Sequence, residues 1–287
     1  MKHLCLNLKR FDVPVDMGGV NRLADGCVWA DTIISNTKKE LEQYRGKARF
    51  PMYFPEAHVI AAAQSAGNNS MIEVGCQSVY RADVAPGVNF GAYTTNRPAA
   101  SMKALGVAST IIGHCEERAD KFGVLQEAGV TDTAAVNRLL NKEIKCAVNR
   151  DMTVTYCIGE KAEERDHWQD VLSEQLSIGL DEVDTSKVII AYEPIWAIGP
   201  GKTPPGADVI APGADVIAPI AQFIKEKTNG MAVVYGGGLK QDNAAMLASI
   251  PEIDGGLIAL TRFQGEIGFY PEEYLEIIRI YMENCSE

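Results

Sequence analysis

Along this chain, short runs of apolar and β-branched residues alternate with longer stretches in which apolar positions recur every third or fourth residue. The short runs predict buried strands over 3–8, 48–54, 71–77, 109–113, 153–158, 188–192, 232–235 and 255–259. Helical spacing fills several of the gaps, over 31–44, 56–66, 132–148, 163–180 and 271–283. Strands that read as continuous apolar runs belong in a parallel sheet with both faces covered. Eight strand–helix repeats in 287 residues predict an α/β protein of one domain, a closed (β/α)8 barrel spanning 1–287. A doubly wound open sheet alternates in the same way. It usually carries a GxGxxG turn after its first strand, whereas here that strand runs into Asn7-Leu8-Lys9-Arg10.

No linker divides the pattern. Residues 11–26 contain Pro14, Gly18, Gly19 and Gly26 and predict an extended loop before the first helix. The heptapeptide PGADVIA occurs twice in tandem, over 205–211 and 212–218. It is too short for a solenoid unit. The expectation is an insertion at 205–218 that lengthens the approach to the next helix, with Pro212 and Pro219 interrupting that helix.

The sixth strand is followed by the most informative stretch of the chain. Glu193 stands between Tyr192 and Pro194, directly after the buried run at 188–191. Two glycines then fall in a small-residue tip, bounded by Pro194-Ile195-Trp196 on one side and Thr203-Pro204-Pro205 on the other. Stiff flanks around a pliant tip suit a loop that swings as a unit, so a lid is expected over about 194–205.

Composition narrows the function classes. A formal net charge of −11 argues against non-specific nucleic-acid binding, and an anionic substrate would need a local positive site. The seven cysteines are odd in number and scattered, with no CxxC pair, which predicts reduced thiols rather than a disulfide framework or a zinc site. The first twelve residues lack the apolar centre of a signal peptide, and no run is long enough to span a membrane; a cytoplasmic protein without membrane or nucleic-acid partners is expected.

In such a barrel, chemistry gathers at the C-terminal strand ends. These ends deliver Asn7 and Lys9 after strand one, His114 and Glu116 after strand four, and Glu193 after strand six. Tyr235-Gly236-Gly237-Gly238 follows strand seven, and Ala259-Leu260-Thr261-Arg262 follows strand eight. Singly, each has a plain structural explanation: a solvated lysine, a hydrogen-bonded histidine, a capping glutamate, a glycine turn. Together they suit proton abstraction beside a carbonyl. Glu193 would take a carbon-bound proton, while His114 and Lys9 stabilise the charge that moves onto oxygen. Glycine N–H groups can face an anion such as phosphate closely.

The motifs AYEPIWAIGPGKT (191–203), IIGHCEER (111–118), YCIGE (156–160), VVYGGG (233–238) and the Asn-x-Lys at 7–9 resemble the triosephosphate isomerase family, in its order and along nearly the whole chain. That family is itself the standard illustration of a glutamate base, a neutral histidine and a closing loop, so the roles below are ones the resemblance implies. It implies a TIM barrel, Glu193 as the base, His114 as the neutral electrophile, and Lys9 as the cation that holds the substrate beside Asn7. Glu116 would support the lysine and histidine, Gly199 would donate its N–H to the phosphate from the closed lid, and Tyr235 would latch that lid. It also implies a homodimer formed through the loop carrying Thr94, a small phosphorylated sugar as substrate, and no cofactor or metal.

Several positions depart from the family's pattern. Leu8 and Arg10 replace the tryptophan and methionine that flank the lysine, Cys115 replaces a serine, and Glu117 an arginine. Gly238 replaces the phosphate-binding serine, and Ala259-Leu260 replace a pair of glycines. Arg262 is therefore expected to take over part of the phosphate grip. The leading expectation is interconversion of dihydroxyacetone phosphate and glyceraldehyde 3-phosphate. The alternatives are isomerisation of a four-carbon ketose phosphate such as L-erythrulose 1-phosphate, a Schiff-base lyase acting through Lys9, and a non-catalytic phosphosugar-binding protein.

Overall fold

A computed structural model describes residues 1–198 and 212–285. Among them, eight parallel strands close into a barrel in chain order: β1 (Lys2–Asn7), β2 (Ala48–Phe54), β3 (Ile72–Gln77), β4 (Ser109–Ile112), β5 (Thr153–Ile158), β6 (Val188–Tyr192), β7 (Val233–Tyr235) and β8 (Gly255–Ile258). Closure comes from β1 against β8, with His3 opposite Gly255 and Leu6 opposite Ile258. The expected strands are all present, to within a residue at either end.

Side-chain alternation divides the apolar residues into two layers. Cys5, Tyr53, Ile111, Cys157, Ala191, Val234 and Leu257 point inward and pack as one cluster, joined by Ile189. Their strand neighbours, such as Leu4, Leu6, Met52, Phe54, Ile112 and Ile190, face outward into the larger core between strands and helices. Tyr53 crosses the barrel to hydrogen-bond Thr155 Oγ1 at 2.6 Å. It fits because β3 carries Gly75 beside it. A Cβ there would stand 2.5 Å from the Tyr53 ring and 2.6 Å from Ser109 Oγ, well inside contact distance.

The expected helices appear as α1 (Gly26–Leu41), α2 (Val59–Ala66), α5 (Thr133–Asn149), α6 (Trp168–Gly179) and α9 (Pro271–Asn284). The helix expected after the insertion is α7 (Ala214–Lys227), and three more were not expected: α3 (Ala99–Ala104), α4 (Cys115–Glu127) and α8 (Ala244–Ala248). The reasons are physical. α3 and α8 are too short to show periodicity, and α4 buries none of its residues fully, so it carries no apolar stripe.

Helix α7 corrects an expectation. The second heptapeptide copy does not break the helix but begins it, with Gly213 as N-cap, and the helix runs on through Pro219. Pro219 is the sixth helical residue, just past the four amides that lack a partner in any helix, so it costs the one bond its N–H would make to Asp215 O. Burial of Ile217, Ile220, Ala221 and Ile224 on one face holds the rest. The first copy, Gly199 and most of the expected lid lie outside the described residues. No described helix is long and apolar enough to cross a membrane.

Candidate active site

The turn after β1 sets the first two residues. Asn7 ends the strand buried, and its Oδ1 accepts the Lys9 N–H at 3.1 Å. Lys9 adopts a left-handed backbone (φ 39°), and Gln77 from β3 donates to its carbonyl at 3.0 Å. The segment is thus a turn rather than the extended run that alternation alone would give. Lys9 Nζ reaches Glu116 Oε1 at 2.8 Å, whereas Arg10 turns away to Asp12. Leu8 is buried in the core.

After β4, Gly113 makes the left-handed turn (φ 80°) that brings His114 to the N-cap of α4. The Glu116 N–H donates to His114 Nδ1 at 3.2 Å. A ring nitrogen that accepts carries no proton, so the neutral imidazole places its N–H on Nε2. That nitrogen faces Glu193 Oε1 at 3.4 Å.

The His114 turn is clamped from both sides. Arg118 Nε donates to the Gly113 carbonyl at 2.8 Å, and the Gly113 N–H donates to Glu117 Oε2 at 2.6 Å. Glu117 Oε1 in turn accepts from Ser78 Oγ (2.6 Å) and Lys121 Nζ (2.8 Å). Burial alone would raise the Glu117 carboxyl, but Lys121 and the bonds from Ser78 and Gly113 hold it below its ordinary value. Glu143 lies against the same lysine at 3.0 Å. Burial first, then the Glu117 charge, push Glu143 up to about 8. Glu117 was read in the sequence only as a departure. Its signal was a carboxylate three positions after the N-cap, where it can reach back to the backbone before the helix.

Glu193 follows β6 and is 1% exposed. Its N–H donates to Ile158 O at 2.8 Å, and its Oε2 accepts the Cys115 N–H at 2.9 Å, the first amide of α4. A carboxylate at a helix N-terminus is stabilised by the unpaired amides there. Its Oε1 has no hydrogen-bond partner among the described residues, so one oxygen of a buried carboxylate faces the histidine unsatisfied. Burial, then the Glu193 charge, push the neighbouring Cys115 thiol up to about 12. His114, Cys115 and Glu193 offer one nitrogen, one sulfur and one oxygen within 4.8 Å of one another. With the thiol held protonated and Nδ1 already accepting an N–H, the set suits proton transfer better than metal ligation.

Beyond Glu193, the described start of the segment expected to form a lid is anchored on Glu160, which in the sequence is only one letter of the YCIGE motif. Glu160 Oε1 accepts from Tyr192 Oη (2.9 Å), Trp196 Nε1 (2.9 Å) and Arg165 Nη1 (2.7 Å), and the Arg165 guanidinium stacks over Trp196 at 4.5 Å. The stretch 192–196 is thereby fixed to the end of β5.

On the β7 side, Gly236 packs against Glu193: a Cβ there would lie 2.7 Å from Glu193 Cγ. The Tyr235 hydroxyl and Pro194 both flank Gly237. Tyr235 thus lies beside Pro194, while the residues it is expected to latch lie outside those described. Gly238 takes φ 95°, a conformation that would strain the family's serine.

Arg262 does not present a free cation to this mouth. Its Nε and Nη2 both donate to Glu273 Oε1, at 2.8 and 2.5 Å, and its guanidinium stacks on Tyr270 at 3.8 Å. Its backbone pairs with Gly268 in a small antiparallel bridge. Instead of standing free for the phosphate expected of it, the side chain ties the loop after β8 to the first turn of α9.

The family model described as triosephosphate isomerase matches residues 28–279. The chain is 32% identical over 209 residues to triosephosphate isomerase of Moorella thermoacetica, covering 71% of this chain and 77% of that protein. It is 31% identical over 233 residues to triosephosphate isomerase of Leptospira borgpetersenii, covering 78% and 86%. The crystal structure of triosephosphate isomerase from Bartonella henselae shares the fold, with a TM-score of 0.70 at 21% identity over 98% of this chain and 99% of that one. With barrel, motif order and family match in agreement, the chain belongs to the triosephosphate isomerase family.

Proposed function

We propose that this isomerase interconverts dihydroxyacetone phosphate and glyceraldehyde 3-phosphate through an enediolate, with Glu193 as the base. The observation that carries the reading is the pairing of Glu193 Oε1 with His114 Nε2 at 3.4 Å, in a histidine whose Nδ1 accepts a backbone N–H. A buried carboxylate with one unsatisfied oxygen is a ready proton acceptor. An imidazole N–H beside it can donate to the substrate oxygen as negative charge develops there. Lys9, held by Glu116 and anchored through Asn7 and Gln77, adds a positive charge at the same mouth.

The names of the relatives support the three-carbon substrate over a four-carbon ketose phosphate. The Schiff-base reading loses support because Lys9 Nζ is engaged by the Glu116 carboxylate at 2.8 Å, and Arg10, the adjacent cation that could have activated it, turns away to Asp12. A binding protein without catalysis would have no use for the His114–Glu193 pair.

Assembly as a homodimer is part of the same reading. The loop 78–98 is braced internally by Asn89, which donates to Asp83 O and Tyr93 Oη at 2.9 Å each. It nonetheless leaves Val88 73% and Phe90 85% exposed, close to Thr94. Large apolar side chains on a rigid projection suit burial against a second copy. The test of the function is a coupled assay started from glyceraldehyde 3-phosphate. Turnover at enzyme rates is expected, and its absence would overturn the proposal.

A further inference from the structure

We infer that Lys240, two residues beyond the glycine run that follows β7, supplies the cation for the substrate phosphate in place of Arg262. The inference rests on the proposed reaction. In barrels of this class a phosphate is held by the loops after strands seven and eight. Here those loops are joined. The Leu239 N–H donates to Leu257 O at 2.9 Å, which fastens the β7 loop over the end of β8. Lys240 is the next residue. Its N–H donates to Asn243 Oδ1 at 2.8 Å, and Asn243 Nδ2 donates to Gly238 O at 2.9 Å, so a closed turn fixes where the lysine stem begins.

The stem then runs past Gly238. A Cβ on that glycine would stand 3.6 Å from Lys240 Cε, so the lysine occupies the space beside the position where the family places a serine side chain. The ammonium ends 4.2 Å from the centre of the Phe263 ring, in the loop after β8. It therefore bridges the two loops that a phosphate would touch. Gly236, two residues before Gly238 and so at most ~7 Å of chain away, packs on Glu193. The same short run thus carries both the contact to the proposed base and the turn that sets the lysine stem.

Charge favours Lys240 over its neighbour. Arg262 spends its guanidinium on Glu273 and Tyr270. Lys240 has no ion pair among the described residues and rests only on an aromatic face. A cation–π contact is weaker than a charge-assisted bond to a phosphate oxygen, so an arriving dianion can draw the ammonium away. Phe263 would hold the lysine ready in the free enzyme. The hydroxyl lost at Gly238 and the glycines replaced by Ala259 and Leu260 are then offset by one mobile charge.

The test compares wild type with Lys240→Met, which keeps the apolar stem, and with Lys240→Arg, which keeps the charge. Each is assayed on glyceraldehyde 3-phosphate and on unphosphorylated glyceraldehyde, and inhibition by inorganic phosphate is measured alongside. For Lys240→Met the ratio of kcat/KM between phosphorylated and unphosphorylated substrate should fall about tenfold or more, chiefly through KM. The inhibition constant for phosphate should rise by a similar factor, and Lys240→Arg should recover most of both. An unchanged ratio with unchanged phosphate inhibition, or an equal loss on both substrates, would overturn the assignment. Failure of wild type to isomerise glyceraldehyde 3-phosphate would instead sink the proposed function. Phosphate binding, read by calorimetry, would still report on Lys240.

Discussion

His114 Nε2 lies 3.4 Å from Glu193 Oε1, while the other nitrogen of the same ring accepts the Glu116 N–H at 3.2 Å. One backbone amide thus decides which side of the ring carries the proton, and that side faces Glu193, the proposed base. On the proposed mechanism, the donor for the developing oxyanion is therefore in place before substrate arrives. His114→Gln should lower kcat by ~10²–10³ with a smaller change in KM, as expected for loss of one such donor. Steady-state kinetics checks this, and a change confined to KM would contradict it.

Cys115 sits half-buried beside Glu193, and its thiol is pushed up to about 12 by burial and by the Glu193 charge. At pH 8 only about one molecule in ten thousand then carries the thiolate that alkylating agents attack. Iodoacetamide at pH 8 should leave activity unchanged over times that fully label the exposed Cys27. Mass spectrometry of the modified peptides distinguishes the two sites, and early labelling of Cys115 would contradict the account.

Glu143, pushed up to about 8, keeps a proton at neutral pH that the unfolded chain would release. The sign follows from linkage: a group with a raised folded pKa contributes stability in full below its ordinary value, near 4.5, and loses it as pH rises through about 8. Wild type should therefore lose thermal stability between pH 5 and pH 8.5, and Glu143→Gln should lose less. The depressed Glu117 acts on the other side of that window, losing its contribution only as pH falls below the ordinary carboxylate range. Melting curves that run parallel for the two proteins would contradict the assignment.

Phe90, 85% exposed at the tip of the loop 78–98, should lose that exposure in a dimer. Phe90→Lys places a charge where the partner would bury an apolar ring, and should shift the protein to monomer in sedimentation experiments at micromolar concentration. An unchanged mass would remove this loop from the interface.

Much of this was legible in the sequence. The strands stood out because a closed parallel barrel buries both faces of each one, leaving runs such as Val188–Tyr192 with no polar interruption. Glu193, His114 and Lys9 could be singled out because the fold maps strand ends onto one mouth. Helix α4 could not be, since it anchors the site through its N-terminal amides and Glu117 rather than through an apolar face. Arg262 illustrates the opposite failure. An arginine near a phosphate loop invites a binding role, but its fate was decided by Glu273, eleven residues later and one helical turn into α9. Pro219 misled for a related reason: a proline penalty is local, while the apolar face of α7 that outweighs it is spread over Ile217, Ile220, Ala221 and Ile224.

The central claim is that Glu193 removes a carbon-bound proton. Its most direct test is deuterium incorporation from D2O into dihydroxyacetone phosphate, followed by NMR for wild type and Glu193→Gln. Wild type should exchange one C1 proton at enzyme rates, and Glu193→Gln should exchange it at least ~10²-fold more slowly. Near-equal exchange by the two proteins would show that another group is the base.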